Sequence, residues 1–245
     1  MDSARRIGEI LGTLGPNLPS KAGGYEASFS PMYDFDSDGC YAVPAIKPNG
    51  TLNPGLGLGG AVNGNCHDLS DLEASQQYAR SVCNNGWCAV MYATYYEKDQ
   101  ATNSVGEIAG GTNGHRHDWE HAISWIDQST NQVEYVSVSA HGGYKTFPRS
   151  EVLFDGTHPK IVYHKDGGFT HALRIANGND EPPENHLGQW FSPPLVDWNG
   201  WPSTELRDKL MNANFGSAQL DLRDHAFAGK LADEKPAGIP LDPNG

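Results

Sequence analysis

The segment from Trp87 to Tyr96 sets the strongest limit on what this chain can fold into. It is apolar and aromatic, includes β-branched members and carries no charge. Such a run reads as a buried strand. Further strand signals follow. Ala122-Ile123-Ser124-Trp125-Ile126 and Val133 to Ser139 flank the polar stretch Asp127 to Gln132, the pattern of a hairpin with a several-residue loop. Ile161-Val162-Tyr163-His164 and His171 to Ala176 add short strands. The 29 glycines and 16 prolines supply turns and long loops without reaching the level of a disordered chain. Leu52 to Asn65 and Gln100 to Gly114 read as such loops.

Three helices are expected around this core. Ile7, Ile10, Leu11 and Leu14 repeat at helical spacing before Gly15-Pro16 ends the segment. Ser70-Asp71-Leu72-Glu73 is a capping-box pattern, with Ser70 as cap and Glu73 reaching back, and predicts a helix to about Val82. A third starts near Pro202-Ser203 and places Leu206 and Leu210 on one face. There is no internal repeat, low-complexity tract or linker. The expected organisation is a helical arm over residues 1–24 and a mostly β, single β-sandwich domain over 25–245, with peripheral helices and long loops.

Charge narrows the function. A formal net charge of −13 argues against nucleic acid, which needs a basic face to release counterions. It also disfavours simple attraction to anionic lipid. A membrane target would have to be recognised through a metal, a sugar headgroup or a specific pocket. No apolar run is long enough for a transmembrane helix. The opening Met1 to Arg6 lacks the apolar run of a secretory signal, which fits either a cytosolic protein or a chain that starts after signal removal. The even cysteine count (Cys40, Cys66, Cys83, Cys88) suits two disulfides in an oxidising compartment, and the turn between Cys83 and Cys88 suits a short closed loop. The rival, a zinc site, has only one C-x4-C pair to stand on. Asn49-Gly50-Thr51 is an N-glycosylation sequon.

The densest polar cluster is Gly114-His115-Arg116-His117-Asp118-Trp119-Glu120. If a strand begins near Asp118, its period of two puts Asp118 and Glu120 on one face, and His115, still in the loop, folds back towards them. Carboxylates brought together repel unless a cation joins them. A carboxylate-rich shell with one imidazole suits Ca²⁺, Mg²⁺ or Mn²⁺ better than Zn²⁺. The plain alternative is a solvated charged loop in which Arg116 pairs with an acid.

This heptapeptide reproduces the signature of the necrosis- and ethylene-inducing-like proteins (NLPs). Tyr33 to Tyr41, Ala89 to Gln100, Ser139-Ala140-His141-Gly142-Gly143-Tyr144 and Asn214-Phe215-Gly216-Ser217-Ala218 are similar to other segments of that family. The likeness covers most of residues 25 to 231, and the cysteines resemble the four-cysteine subgroup. The resemblance implies a β-sandwich like those of actinoporins and fungal lectins, and disulfides Cys40–Cys66 and Cys83–Cys88. It implies one divalent cation, Ca²⁺ or Mg²⁺ with Mn²⁺ as a further option, held by Asp99, His115, Asp118 and Glu120. It further implies a secreted, monomeric, non-enzymatic toxin that binds sphingolipid headgroup sugars (glycosylated inositol phosphorylceramides) and makes plant plasma membranes leak. Asp99 is carried over on its Lys98-Asp99-Gln100 context. Thr102 to Asn113 is an insertion relative to two-cysteine members, and Glu107 within it is a competing ligand.

Four more residues are candidates for the ligand cleft: His117, Trp119, His141 and His171. Each has a bland reading, such as an ordinary strand histidine for His171 or core packing for Trp119. Asp34-x-Asp36-x-Asp38-Gly39 resembles the start of an EF-hand loop, but position twelve is Ala45 where a bidentate Glu is needed. A turn whose carboxylates accept backbone N–H groups is expected there instead. Two rival functions stand beside the toxin. A metal-dependent hydrolase would use the same ingredients, though the chain has no Gly-x-Ser-x-Gly elbow, His-Glu-x-x-His helix or second metal cluster. A non-lytic, lectin-like elicitor would keep the binding without the lysis.

Overall fold

The computed structural model describes residues 17–103, 114–167 and 170–245. The helix expected over residues 7–14 and the competing ligand Glu107 lie outside them. The Trp87–Tyr96 run sits in the middle of a six-stranded sheet, in the long strand β3 (Trp87–Gln100). The other strands among the described residues are β1 (Met32–Phe35), β2 (Gln77–Asn84), β4 (Gly114–Asp127), β5 (Gln132–Ala140), β6 (Gly143–Pro148), β7 (Phe154–Asp155), β8 (His158–Asp166), β9 (Thr170–Ile175) and β10 (Leu195–Val196). The larger sheet runs β10-β2-β3-β4-β5-β6; the smaller runs β1-β8-β7 with β9 also paired to β8. Among the described residues the helices are short: α1 (Gly24–Ser28), α2 (Leu69–Glu73), α3 (Thr204–Met211) and α4 (Phe227–Glu234).

Both faces of β3 are buried, which is why its first ten residues, Trp87 to Tyr96, carry no charge. Val90, Tyr92 and Tyr96 face the smaller sheet, packing with Phe35, Tyr163 and Leu173. Met91, Ala93 and Tyr95 face the opposite way, where α3, α4 and the C-terminal segment cover the sheet with Leu210, Leu231 and Leu241. The expected helix near Pro202-Ser203 is α3, capped by the Ser203 hydroxyl accepting the Leu206 N–H. The result is a β-sandwich whose larger sheet carries a helical layer on its outer face.

One expected element is corrected. The helix read from Ser70 to about Val82 stops at Glu73, and its cap is Asp68, whose carboxylate shares a capping box with Asp71. From Gln77 the chain is strand β2. Asn85 and Gly86 have φ of 52° and 79°, the conformation of a two-residue type I′ hairpin turn. That turn folds β2 back on β3 in the register Cys83↔Cys88. Pairing along eight residue positions of β2 outweighs the weak helical preference of Gln77 to Val82. The two disulfides are Cys40–Cys66 and Cys83–Cys88, so the zinc alternative has no free thiol left.

Candidate metal centre and cavity

Strand β4 starts at Gly114, earlier than expected, because Gly114 pairs with Gln100 and His115 with Asp99 across from β3. His115 is therefore in the strand and not in the loop. Only glycine fits position 114: a Cβ there would lie 1.9 Å from the Asp99 carbonyl oxygen, at a φ of +115°. In an unbroken strand His115 and Asp118 would face opposite ways. His117 removes the conflict by adopting φ 63°, a left-handed conformation that breaks the alternation. Asp99, His115 and Asp118 then place one ligand atom each within 4.8 Å of one another.

Hydrogen bonds fix which atoms remain free. His115 Nδ1 lies 2.7 Å from the His117 carbonyl oxygen, so Nδ1 carries the proton and donates it. That leaves Nε2 as the ring atom open to a ligand, facing Asp99 Oδ2 at 3.7 Å. This backbone anchoring is the usual way a metal-binding imidazole is oriented. Asp99 Oδ1 accepts both the His171 backbone N–H (3.1 Å) and His171 Nδ1 (2.7 Å). His171 Nε2 meets the Asp38 carbonyl oxygen at 3.0 Å. Both partners of that ring are acceptors, so His171 is an imidazolium. Burial works against that charge, but the hydrogen bond and charge of Asp99 outweigh it and raise its pKa. Asp118 accepts the Trp119 N–H on Oδ1 at 2.9 Å and the Tyr163 hydroxyl, more distantly, on Oδ2 at 3.4 Å. Burial, then the charge of Asp99, pushes the Asp118 carboxyl up to about 7. Two buried carboxylates and a lone-pair nitrogen form an oxygen-rich donor set that fits a hard divalent cation.

The remaining candidates spread around this triad. Glu120 lies on the same face of β4 as Asp118, as the period of two predicted, but it stands apart from the cluster of three. Its carboxylate accepts the Ser139 hydroxyl, and burial followed by the charge of Asp118 raises its pKa well above the ordinary value. His141 sits at the β5–β6 turn, with Nε2 2.9 Å from Asp166 Oδ2 and Nδ1 3.0 Å from the Thr170 hydroxyl. His117 turns the other way: its Nδ1 is 2.6 Å from the Tyr95 hydroxyl and its ring packs edge-on against Phe215. Trp119 packs among Tyr78, Tyr95 and Phe215, and its indole N–H has no partner among the described residues. The EF-hand-like run forms no 12-residue loop of ligands. Asp34 accepts the distant Glu184 N–H, and burial with the charges of Asp34 and Glu184 pushes Asp36 up to about 7.

The triad opens into a cavity of about 590 Å³ that Glu120, Trp119, His141 and His171 also line. Its other wall was not singled out from sequence. His121, Tyr144, Asp221, His225 and Lys230 line it, and all but His121 and Tyr144 come from the C-terminal layer. The Asp221 N–H donates to His121 Nε2 at 3.0 Å across a hundred residues of chain. No local pattern announces a contact of that kind.

Comparison with known proteins identifies the family and the fold. The family described as necrosis inducing protein (NPP1) matches residues 24–234. NLP effector protein 10 of Phytophthora capsici is 30% identical over 201 residues, 80% of this chain and 77% of that one. Necrosis-inducing protein NPP1 of Phytophthora nicotianae is 30% identical over 202 residues, 80% of this chain and 76% of that one. Among solved structures, NLPPya in complex with mannosamine superposes with a TM-score of 0.72 at 29% identity, covering 89% of this chain and 94% of that one. The non-toxic HaNLP3 protein gives a TM-score of 0.73 at 25% identity, covering 93% and 99%. With its heptapeptide intact and its four cysteines paired, the chain belongs to the necrosis-inducing NLP family.

Proposed function

We propose that this chain is a secreted necrosis-inducing toxin that binds a divalent cation and, through it, the headgroup sugar of a plant sphingolipid. The reading rests on one observation above all. One ligand atom each of Asp99, His115 and Asp118 converges at the wall of a cavity large enough for a small-molecule ligand. Asp99, His115 and Asp118 hold the cation, with Glu120 as a further carboxylate reached directly or through water. A cation held there would supply a Lewis-acidic centre to which sugar hydroxyls could bind. His171 fixes Asp99, and His141 with Asp166 and Thr170 forms part of the rim against which a sugar rests. The family member solved with mannosamine and glucosamine supports a sugar as ligand. Recognition through an ion and a sugar lets a chain of charge −13 engage a membrane that plain electrostatics disfavours. No helix among the described residues is long and apolar enough to cross a membrane.

The non-toxic family member of similar fold supports a second reading, a headgroup binder and elicitor without lysis. Dye release from vesicles containing glycosylated inositol phosphorylceramide separates the two. Leakage that requires Ca²⁺ or Mg²⁺, stops with EDTA and is lost in Asp118→Ala supports the toxin. Ion-dependent binding without leakage assigns the elicitor role, and headgroup turnover would assign a hydrolase.

A further inference from the structure

We propose that Asn49 is the attachment site of an N-linked oligosaccharide, carried on a turn that lies outside the cavity. The inference presupposes the secretory passage proposed above, but neither the ion nor the sugar ligand. The covalent step joins Asn49 Nδ2 to the anomeric carbon of an oligosaccharide delivered as a lipid pyrophosphate. The carbon–oxygen bond to phosphate breaks, the lipid pyrophosphate leaves and the amide nitrogen gives up one proton, so no oxidant or reductant enters.

Asn49-Gly50-Thr51 is the one Asn-x-Ser/Thr triplet in the sequence. The residues around it also dictate its shape. Lys47-Pro48-Asn49-Gly50 has proline at the second position and glycine at the fourth, the pattern of a type I turn. The structure has that turn: the Gly50 N–H donates to the Lys47 carbonyl oxygen at 2.8 Å, and Gly50 takes φ 83°. The Lys47 N–H donates to the Thr51 carbonyl oxygen at 2.9 Å, and Ile46 bridges to Leu52, so the arms are held as a small hairpin. Gly50 is buried against α3, where an added Cβ would lie 3.5 Å from Lys209 Nζ and 3.8 Å from Leu206 Cδ1. Asn49 and Thr51, by contrast, are both exposed. Asn49 Oδ1 accepts the Thr51 N–H at 2.9 Å, which makes an Asx turn. That bond brings the two recognised residues together and engages the amide oxygen, not the nitrogen to be linked. No residue of the turn lines the cavity, and none of α3 does. The glycan therefore extends from a surface turn into solvent and leaves the cavity and the cluster of Asp99, His115 and Asp118 open.

The full chain, secreted from yeast behind a cleavable leader, tests this by intact mass and peptide mapping. The expected result is one oligosaccharide per chain, released by peptide N-glycosidase in heavy-oxygen water with Asn49 converted to labelled Asp. The label separates enzymatic release from ordinary deamidation at Asn49-Gly50. Thr51→Ala keeps Asn49 and the backbone N–H that its side chain binds, yet is expected to lose the glycan entirely. Thr51→Ser is expected to retain it at lower occupancy. Calcium titration of the wild type before and after release of the glycan is expected to give equal affinities. Secreted wild type without a glycan overturns the inference, as does a glycan that survives Thr51→Ala. Because the leader supplies the secretion, an absent glycan counts against Asn49 alone and not against the toxin reading. A Ca²⁺ affinity that rises about tenfold when the glycan is removed overturns the placement outside the cavity.

Discussion

Replacing Asp118 by Asn makes the ion-free protein more stable at alkaline pH, and the size of the gain follows from the site. Asp118 is 6% exposed and is pushed up to about 7 by burial and by Asp99. An acid whose pKa rises on folding binds more protons in the native state than in the unfolded chain between about pH 4 and 7. Its contribution is therefore complete below about pH 4 and is lost as pH rises through 7. A shift of roughly three units at about 1.4 kcal/mol each gives a loss of about 4 kcal/mol across that window. Asn has the same shape and no charge, so this loss is absent from the variant. In EDTA, urea unfolding at pH 8 is expected to show Asp118→Asn about 2–4 kcal/mol more stable than wild type, with the difference shrinking to about 1 or less at pH 4. A chain of 245 residues shifts its Tm by about 2 °C per kcal/mol, so the gain reads as about 4–8 °C. Calcium cancels most of the difference: at a hundredfold excess over its Kd it restores about 3 kcal/mol to the wild type and nothing to the variant. A stability difference that stays constant from pH 4 to pH 8 in EDTA would refute the claim that Asp118 is held under electrostatic strain.

Three further outcomes are expected. Gly114→Ala drives a methyl group into the Asp99 carbonyl oxygen, so thermal unfolding should reveal a cost of several kcal/mol and calorimetry a weakened ion site. His171→Asn leaves the three ligands in place but removes the imidazolium that holds Asp99. Titration should show Ca²⁺ affinity falling about 10- to 100-fold with the near-native circular dichroism retained. Breaking Cys40–Cys66, which closes a span of 26 residues, should cost about 3–4 kcal/mol in urea, against about 2 kcal/mol for Cys83–Cys88 with a span of 5.

What the sequence disclosed followed the range of the interactions involved. The run at β3, the β4–β5 hairpin and the helix α3 are local patterns, and each lies where its periodicity or cap placed it. Strand β2 was misread because Ser70 to Glu73 does open a helical turn, while the decision to leave the helix is taken by pairing with β3 and by the Asn85-Gly86 turn. The heptapeptide announced a cluster of ligand types. Its geometry did not follow from periodicity, since His115 reaches Asp118 only through the left-handed backbone at His117. Asp99 joined the site through family likeness alone. Register pairing of Asp99 with His115 is what brings it there, and the register between two strands is not written in either one alone. The contact of His121 with Asp221 and the placement of Lys230 depend on how the C-terminal layer docks, which only the complete fold determines.

The most direct test of the account is a calorimetric titration of EDTA-stripped protein with Ca²⁺, Mg²⁺ and Mn²⁺, in wild type and in Asp118→Asn. The account predicts one ion per chain for the wild type and no measurable binding in the variant, with both proteins folded. Wild-type protein that takes up no divalent ion, or Asp118→Asn that binds it as tightly as wild type, would contradict the assignment of Asp99, His115 and Asp118 as the centre of the site.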